Sequence, residues 1–300
     1  MKEKILNFTF CFFCFFALYI IFNQNKEIAS LITSGLNLFF KRVFPSLFPM
    51  FILNDIFIYA GIPLIFYYLF RNLFQVLFHT SGICAYVFFM CLISGTPSSA
   101  YILKNLVEQK LITVEEAEHY LYFTYFSNPL FLTIMLSELF TSPLKIILIH
   151  YSSNFIIALL LRKKAPKFQS NKIKAPKSNL GTVINHSIKN SMSTLLAILG
   201  TIIFYMLLNF IILSFLPNNP QIEILTSGIL EITNGLNHLI KYQNLVNLKE
   251  IFAISIISFG GLSIHTQVKS ILEETPIHYL NFLKGRIMQV IISILLILIF

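Results

Sequence analysis

Apolar residues run almost without pause along this 300-residue chain, in stretches at about 5–22, 31–60, 62–78, 83–106, 120–140, 143–161, 192–216, 222–240, 250–272 and 277–300. A helix needs about 20 such residues to cross the hydrocarbon core of a bilayer, at a rise of about 1.5 Å each. The pattern predicts an all-α polytopic membrane protein with seven to ten crossings.

Four of these stretches are interrupted where a bare backbone costs most. The breaks are "SGTPSSA" (Ser94–Ala100), "FSNPLF" (Phe126–Phe131), "LEITNGLNHL" (Leu230–Leu239) and "FGGLSIHTQ" (Phe259–Gln267). In hydrocarbon an unpaired N–H or C=O costs several kcal/mol, so a break persists only where protein or water satisfies it. A break also exposes a helix N-terminus, whose free N–H groups carry partial positive charge and suit an anion. The first break offers Ser94, Gly95, Thr96, Ser98 and Ser99, with Pro97 fitted to the first turn of a new helix. Ser127 and Asn128 come from the second, Glu231 and Asn234 from the third. Gly260, Gly261, Ser263, His265 and Gln267 come from the fourth. Any one break could be a Gly/Pro kink filled by a neighbouring helix; four together predict a shared polar centre facing a wet cavity.

Composition agrees with the pattern: 56% of residues are hydrophobic and 12% charged, against about 25% charged in a soluble domain. The formal net charge of +9 does not point to nucleic acid, because seven basic residues and no acid sit together in Arg162–Lys177 between apolar segments. By the positive-inside rule this linker faces the cytoplasm. It separates residues 27–161 from 180–300, with 1–26 as an additional transmembrane helix before them. Setting Ser94 against Gly260 pairs "SGTPSSAYILKNL" with "GGLSIHTQVKSIL", so the two parts read as related halves with broken or re-entrant helices. Cys11 and Cys14 form a C-x-x-C inside an apolar helix, and Cys84 and Cys91 lie in an apolar run without metal-ligand spacing. No metal or cofactor is expected.

Other charges have two readings each. Glu231 could carry a coupling proton or cation, or be paired for structure. His265 could bind solute or sit hydrogen-bonded in the interior. Lys104, Lys284 and Arg286 could meet an anion or snorkel to the headgroups. Thr113 and Glu116 fit a capping box that opens a short surface helix. Pro45 and Pro49 predict a kinked or re-entrant start to the segment after Lys41 and Arg42, which are placed at a membrane boundary.

The ordered set "FPSLFPMFIL", "SGTPSSA", "FSNPLF", "LEITNG" and "GGLSIHTQ" resembles the sporulation integral membrane proteins of the YlbJ/SpoVV type, which carry a nucleoside-recognition or Gate domain. The likeness runs from about Leu36 to Arg286. It implies two Gate-like halves related as inverted repeats, and transport of a small anionic aromatic solute, dipicolinic acid, in the cell membrane or outer forespore membrane of a spore-forming bacterium. Where the family has Gly-Ala-Lys after the first break, this chain has Ser99, Ala100 and Tyr101. Lys104, one turn further on, is the substitute cation.

Three function classes follow: a transporter of such a solute or of a nucleoside-like one, a non-transporting membrane component of sporulation, and a membrane-embedded enzyme. Ser263, His265 and Glu231 form a hydrolytic set only on paper, without an elbow or metal motif. Transport is the expectation; its partners are the solute, the bilayer and a coupling proton or cation.

Overall fold

A computed structural model of the protein describes residues 15–16, 18–166, 180–242 and 248–300. The described residues are mostly helical with no strand, so within the helices the backbone polar groups are paired inside their own segment. In chain order the helices are α1 (Asn25–Leu38), a π turn (Phe39–Val43), α2 (Phe44–Tyr59), α3 (Ile62–Phe78), α4 (Ile83–Ser94), α5 (Ser98–Glu108), α6 (Val114–Tyr120), α7 (Pro129–Ser137) and α8 (Leu144–Leu161). After the linker come α9 (Leu180–Leu213), α10 (Pro220–Leu230), α11 (Ile232–Lys241), α12 (Lys249–Phe259), α13 (Gly261–Leu272) and α14 (Leu280–Ile299). Most of the additional N-terminal helix and of the basic linker lies outside the described residues.

Among the described residues five stretches are long and apolar enough to cross a membrane: Asn25–Tyr59, Leu144–Lys164, Leu180–Leu213, Lys249–Leu272 and Leu280–Ile299. A sixth is counted if α3 and α4, bent by 91° at their junction, make one span. The seven to ten expected included the stretch 5–22, most of which lies outside the described residues; among the described ones several apolar segments are pairs of half-length helices rather than crossings.

Two of those pairs fold back on themselves. Tyr86 in α4 and Asn105 in α5 are 19 residues apart, about 28 Å along a straight helix. Yet the Tyr86 hydroxyl donates to Asn54 Oδ1 at 2.7 Å and the Asn105 amide donates to the neighbouring Asp55. Both arms therefore reach one point on α2, and the Gly95–Pro97 turn is the tip of a hairpin. Phe51 stacks on Tyr101 at 4.2 Å and fixes the same side. In α10 and α11 the contact is closer still: a Cβ on Gly235 would land on the Gly228 backbone. Only Glu231 separates the two arms, and Ile256 of α12 packs over both glycines. Without a hydrophobic force between helices in lipid, such small-residue contacts and buried hydrogen bonds are what hold the arms together.

The other two pairs are interrupted in different ways. Turn and extended residues 121–128 join α6 to α7, whereas α12 and α13 continue as one span broken at Gly260. The order on either side of the linker is thus a long helix, a hairpin, an interrupted pair and a closing helix, with α3 inserted after α2. By this order the Ser94 tip corresponds to Glu231 rather than to Gly260, the pairing expected from sequence.

The long helices line the hairpins. Asn25–Tyr59 runs as one stretch through the prolines and does not re-enter there. Pro45 and Pro49 each lack the N–H for an i→i−4 bond, and the π turn immediately before Pro45 absorbs the mismatch. α9 packs along α1 and α2 and also touches α13. The expected capping box is present: Thr113 Oγ1 accepts from Glu116 N, and Glu116 Oε2 accepts from Thr113 N at 3.0 Å. Cys84 and Cys91 are buried free thiols.

Candidate functional site

Residues from all four breaks line one cavity of about 330 Å³. Ser94, Thr96 and Pro97 come from the first hairpin tip, and Ser127 and Asn128 from the break before α7. Glu231, Ile232 and Thr233 come from the second tip, and Ser263 and Gln267 from the first turns of α13. Lys41 and Arg42 of the π turn complete the polar lining, while Phe131, Ile134, Ile198, Ile202 and Ile264 give an apolar wall. The volume lies at the lower end of the range for small-molecule sites, about 300–1,000 Å³.

Close backbone contacts bring the breaks together. Gly95 adopts φ +78°, and any Cβ there would strike Asn128 at 2.7–2.9 Å. Gly261, at φ +72°, is set against the Glu231 and Ile232 backbone, where a Cβ would meet atoms at 3.1–3.2 Å. Each hairpin tip therefore rests on an interrupted pair: the first on Asn128, the second on Gly261.

The side chains that cap the breaks also shape the cavity. Asn128 Oδ1 accepts from Leu130 N at 2.9 Å and caps α7. Glu231 Oε2 accepts from Asn234 N at 2.8 Å and caps α11, although Glu231 is 3% exposed and makes no ion pair among the described residues. Gln267 donates to Ser263 Oγ at 3.1 Å. The Ser127 hydroxyl is buried and has no hydrogen-bond partner.

A buried polar cluster behind the site holds the second break open. Ser127 N donates to His150 Nε2 at 3.2 Å, and the Tyr151 hydroxyl donates to Ser127 O. Asn154 donates to Tyr125 O, and Arg286 donates to Tyr122 O at 3.1 Å, to Asn154 Oδ1 and to Gln289 Oε1. The Arg286 guanidinium, fully buried, lies 4.0 Å from the centre of the Tyr125 ring. Tyr125 in turn donates to Ile257 O, a carbonyl freed by the break at Gly260. One aromatic side chain thus serves both interrupted pairs.

Not every candidate residue reaches the cavity. Ser98 and Ser99 begin α5 but are buried beside it, with unpartnered hydroxyls. Asn234 contributes its main-chain N–H to the Glu231 cap, and Gly260, at φ +85°, packs on the Tyr125 ring. His265 uses both nitrogens within the protein, donating from Nε2 to Phe259 O at 3.1 Å and accepting at Nδ1 from the Tyr279 hydroxyl. Lys104 is no substitute cation: it pairs with Glu274 at 2.8 Å, outside the cavity, and holds that exposed carboxyl below its ordinary range. Arg286 neither snorkels nor lines the cavity.

Sequence reasoning missed Lys41 and Arg42. A usable signal was present: they are two consecutive cations inside the 35-residue helical stretch Asn25–Tyr59.

Four breaks meeting at one cavity, in a chain with five to six helical stretches long and apolar enough to cross a bilayer among its described residues, define a multi-pass integral membrane protein. The chain is 30% identical to the sporulation integral membrane protein YlbJ of Bacillus subtilis (strain 168), in an alignment covering 85% of this chain and 73% of that protein. It therefore belongs to the YlbJ family of sporulation integral membrane proteins. No family model matches the chain, and no solved structure matches it.

Proposed function

We propose that the protein is a transporter of a small anionic aromatic solute, with dipicolinic acid as the first candidate, and that the cavity is its binding site. The convergence of two hairpin tips and two interrupted pairs on this cavity carries the reading. A chain that needed only a scaffold would not place eight polar break residues around a void, because each break costs backbone hydrogen bonds that later side chains must replace. The N-termini of α5, α7, α11 and α13 begin at its edge and favour negative charge. The recurrent element order supports related halves as inverted repeats of Gate type, moving against each other around a fixed site. Glu231, capping a tip inside the cavity, is the residue placed to carry a coupling proton or cation. The cell membrane or the outer forespore membrane is the expected location.

The test is flux of radiolabelled pyridine-2,6-dicarboxylate into proteoliposomes. Wild-type protein gives saturable uptake competed by unlabelled solute, and Asn128→Ala, which removes a cap and a lining amide together, lowers it by about tenfold. Uptake no greater than in protein-free vesicles, with the protein correctly inserted, contradicts the reading.

A further inference from the structure

The π turn gives the cavity a property that none of the breaks supplies. Lys41 and Arg42 are consecutive, lie within the 35-residue helical stretch Asn25–Tyr59, and both line the cavity with exposed side chains. Consecutive residues of an α-helix point about 100° apart, so two neighbours rarely serve one site; here the helix widens into a π turn at Phe39–Val43. π turns recur at functional positions because the extra residue sets aside a regular ladder. A cation within a membrane-spanning stretch is costly unless it faces water or a counter-charge. Among the described residues neither Lys41 nor Arg42 forms an ion pair; Arg42 reaches only the Met135 sulfur, at 3.3 Å. The acid nearest in function, Glu231, lines the same cavity but spends an oxygen on capping α11.

We infer that Lys41 and Arg42 are the anion-recognising pair of the site, one for each carboxylate of a planar dicarboxylate, and that Glu231 opposes them. Arg42 offers a planar fork for a carboxylate, Lys41 a compact point charge. The ring of such a solute lies against Phe131 and Ile198. Glu231 places negative charge in the same volume, so neutralising it strengthens dianion binding, and removing either cation weakens it. The inference rests on the transport reading and narrows its solute to one with two negative groups.

Equilibrium binding of radiolabelled pyridine-2,6-dicarboxylate and pyridine-2-carboxylate to protein in zwitterionic nanodiscs tests it. Wild-type protein prefers the dicarboxylate. Lys41→Gln and Arg42→Gln each weaken dicarboxylate binding by about tenfold or more, with a smaller effect on the monocarboxylate. Glu231→Gln, which keeps an oxygen for the Asn234 cap, tightens it. The charge-preserving Lys41→Arg/Arg42→Lys variant retains most of the affinity, which separates lost charge from lost folding. Wild-type binding that is indifferent to both neutral substitutions overturns the assignment and leaves the transport reading standing; no wild-type binding of either solute overturns both. A second arm adds phosphatidylglycerol to the nanodiscs. If lipid retention, rather than dicarboxylate binding, depends on Lys41 and Arg42, they hold headgroups and the assignment fails.

Discussion

Arg286→Met is expected to lower the stability of the protein by about 3 kcal/mol and to abolish solute uptake, although Arg286 does not line the cavity. Its guanidinium is fully buried and is shared among Gln289, Asn154 and Tyr122 O, with the Tyr125 ring against its face. Met fills a similar volume but donates nothing. Tyr122 O loses its interior donor, and a buried acceptor left unmade costs about 1–3 kcal/mol. Asn154 loses a partner as well, and it is the residue that holds Tyr125 O; the consequence passes directly to Ser127 and Asn128. Arg286→Lys restores the charge without the fork or the ring stacking, so it rescues little. Thermal unfolding in detergent, read together with uptake, checks this. A variant as stable and active as wild type would remove the buried cluster from the description of the site.

Gly235→Ala and Gly200→Ala are expected to act in opposite directions. Both add one methyl group to a helix, and each gains about 1 kcal/mol of helix propensity. At Gly200 the new Cβ meets nothing within 4 Å, so the gain is realised. At Gly235 it falls on the Gly228 backbone, with Ile256 packed over both. No side-chain rotation relieves a clash with backbone, and the two arms of the second hairpin must separate at its tip. Overpacking of this kind costs about 1–3 kcal/mol, and here it also displaces Glu231 and Thr233 from the cavity. Gly235→Ala is therefore expected to unfold earlier and to transport poorly, while Gly200→Ala unfolds at the same temperature or later. Equal behaviour of the two in a melting curve would show that the hairpin arms are not in contact.

The positions of the breaks are legible in the sequence, because Gly, Pro, Ser and Asn in apolar surroundings are too costly to be accidental there. Seven of the residues chosen on that ground, Ser94, Thr96, Ser127, Asn128, Glu231, Ser263 and Gln267, line the cavity. Whether a break turns the chain back or merely interrupts it is not legible. "LISGTPSS" and "ISFGGLSI" look alike locally. What separates them is tertiary: Tyr86 and Asn105 meeting Asn54 and Asp55 in one case, and a near-straight continuation from α12 to α13 in the other. His265 and Arg286 were ambiguous for a similar reason, since a buried polar side chain with protein partners and one facing a ligand have the same local sequence. Lys41 and Arg42 were obscured by Pro45 and Pro49, which suggested an irregular start rather than a continuous helix with a π turn.

The most direct test of the central claim, that the four breaks surround a single wet cavity, is reaction with a charged, membrane-impermeant thiol reagent. Thr96, Ser127, Thr233 and Ser263 are replaced singly by Cys on a background lacking the four native cysteines. The prediction is that all four react from the same side of the membrane and that pyridine-2,6-dicarboxylate protects all four at the same concentration. Unreactive thiols at these positions, or protection of one break without the others, would contradict it.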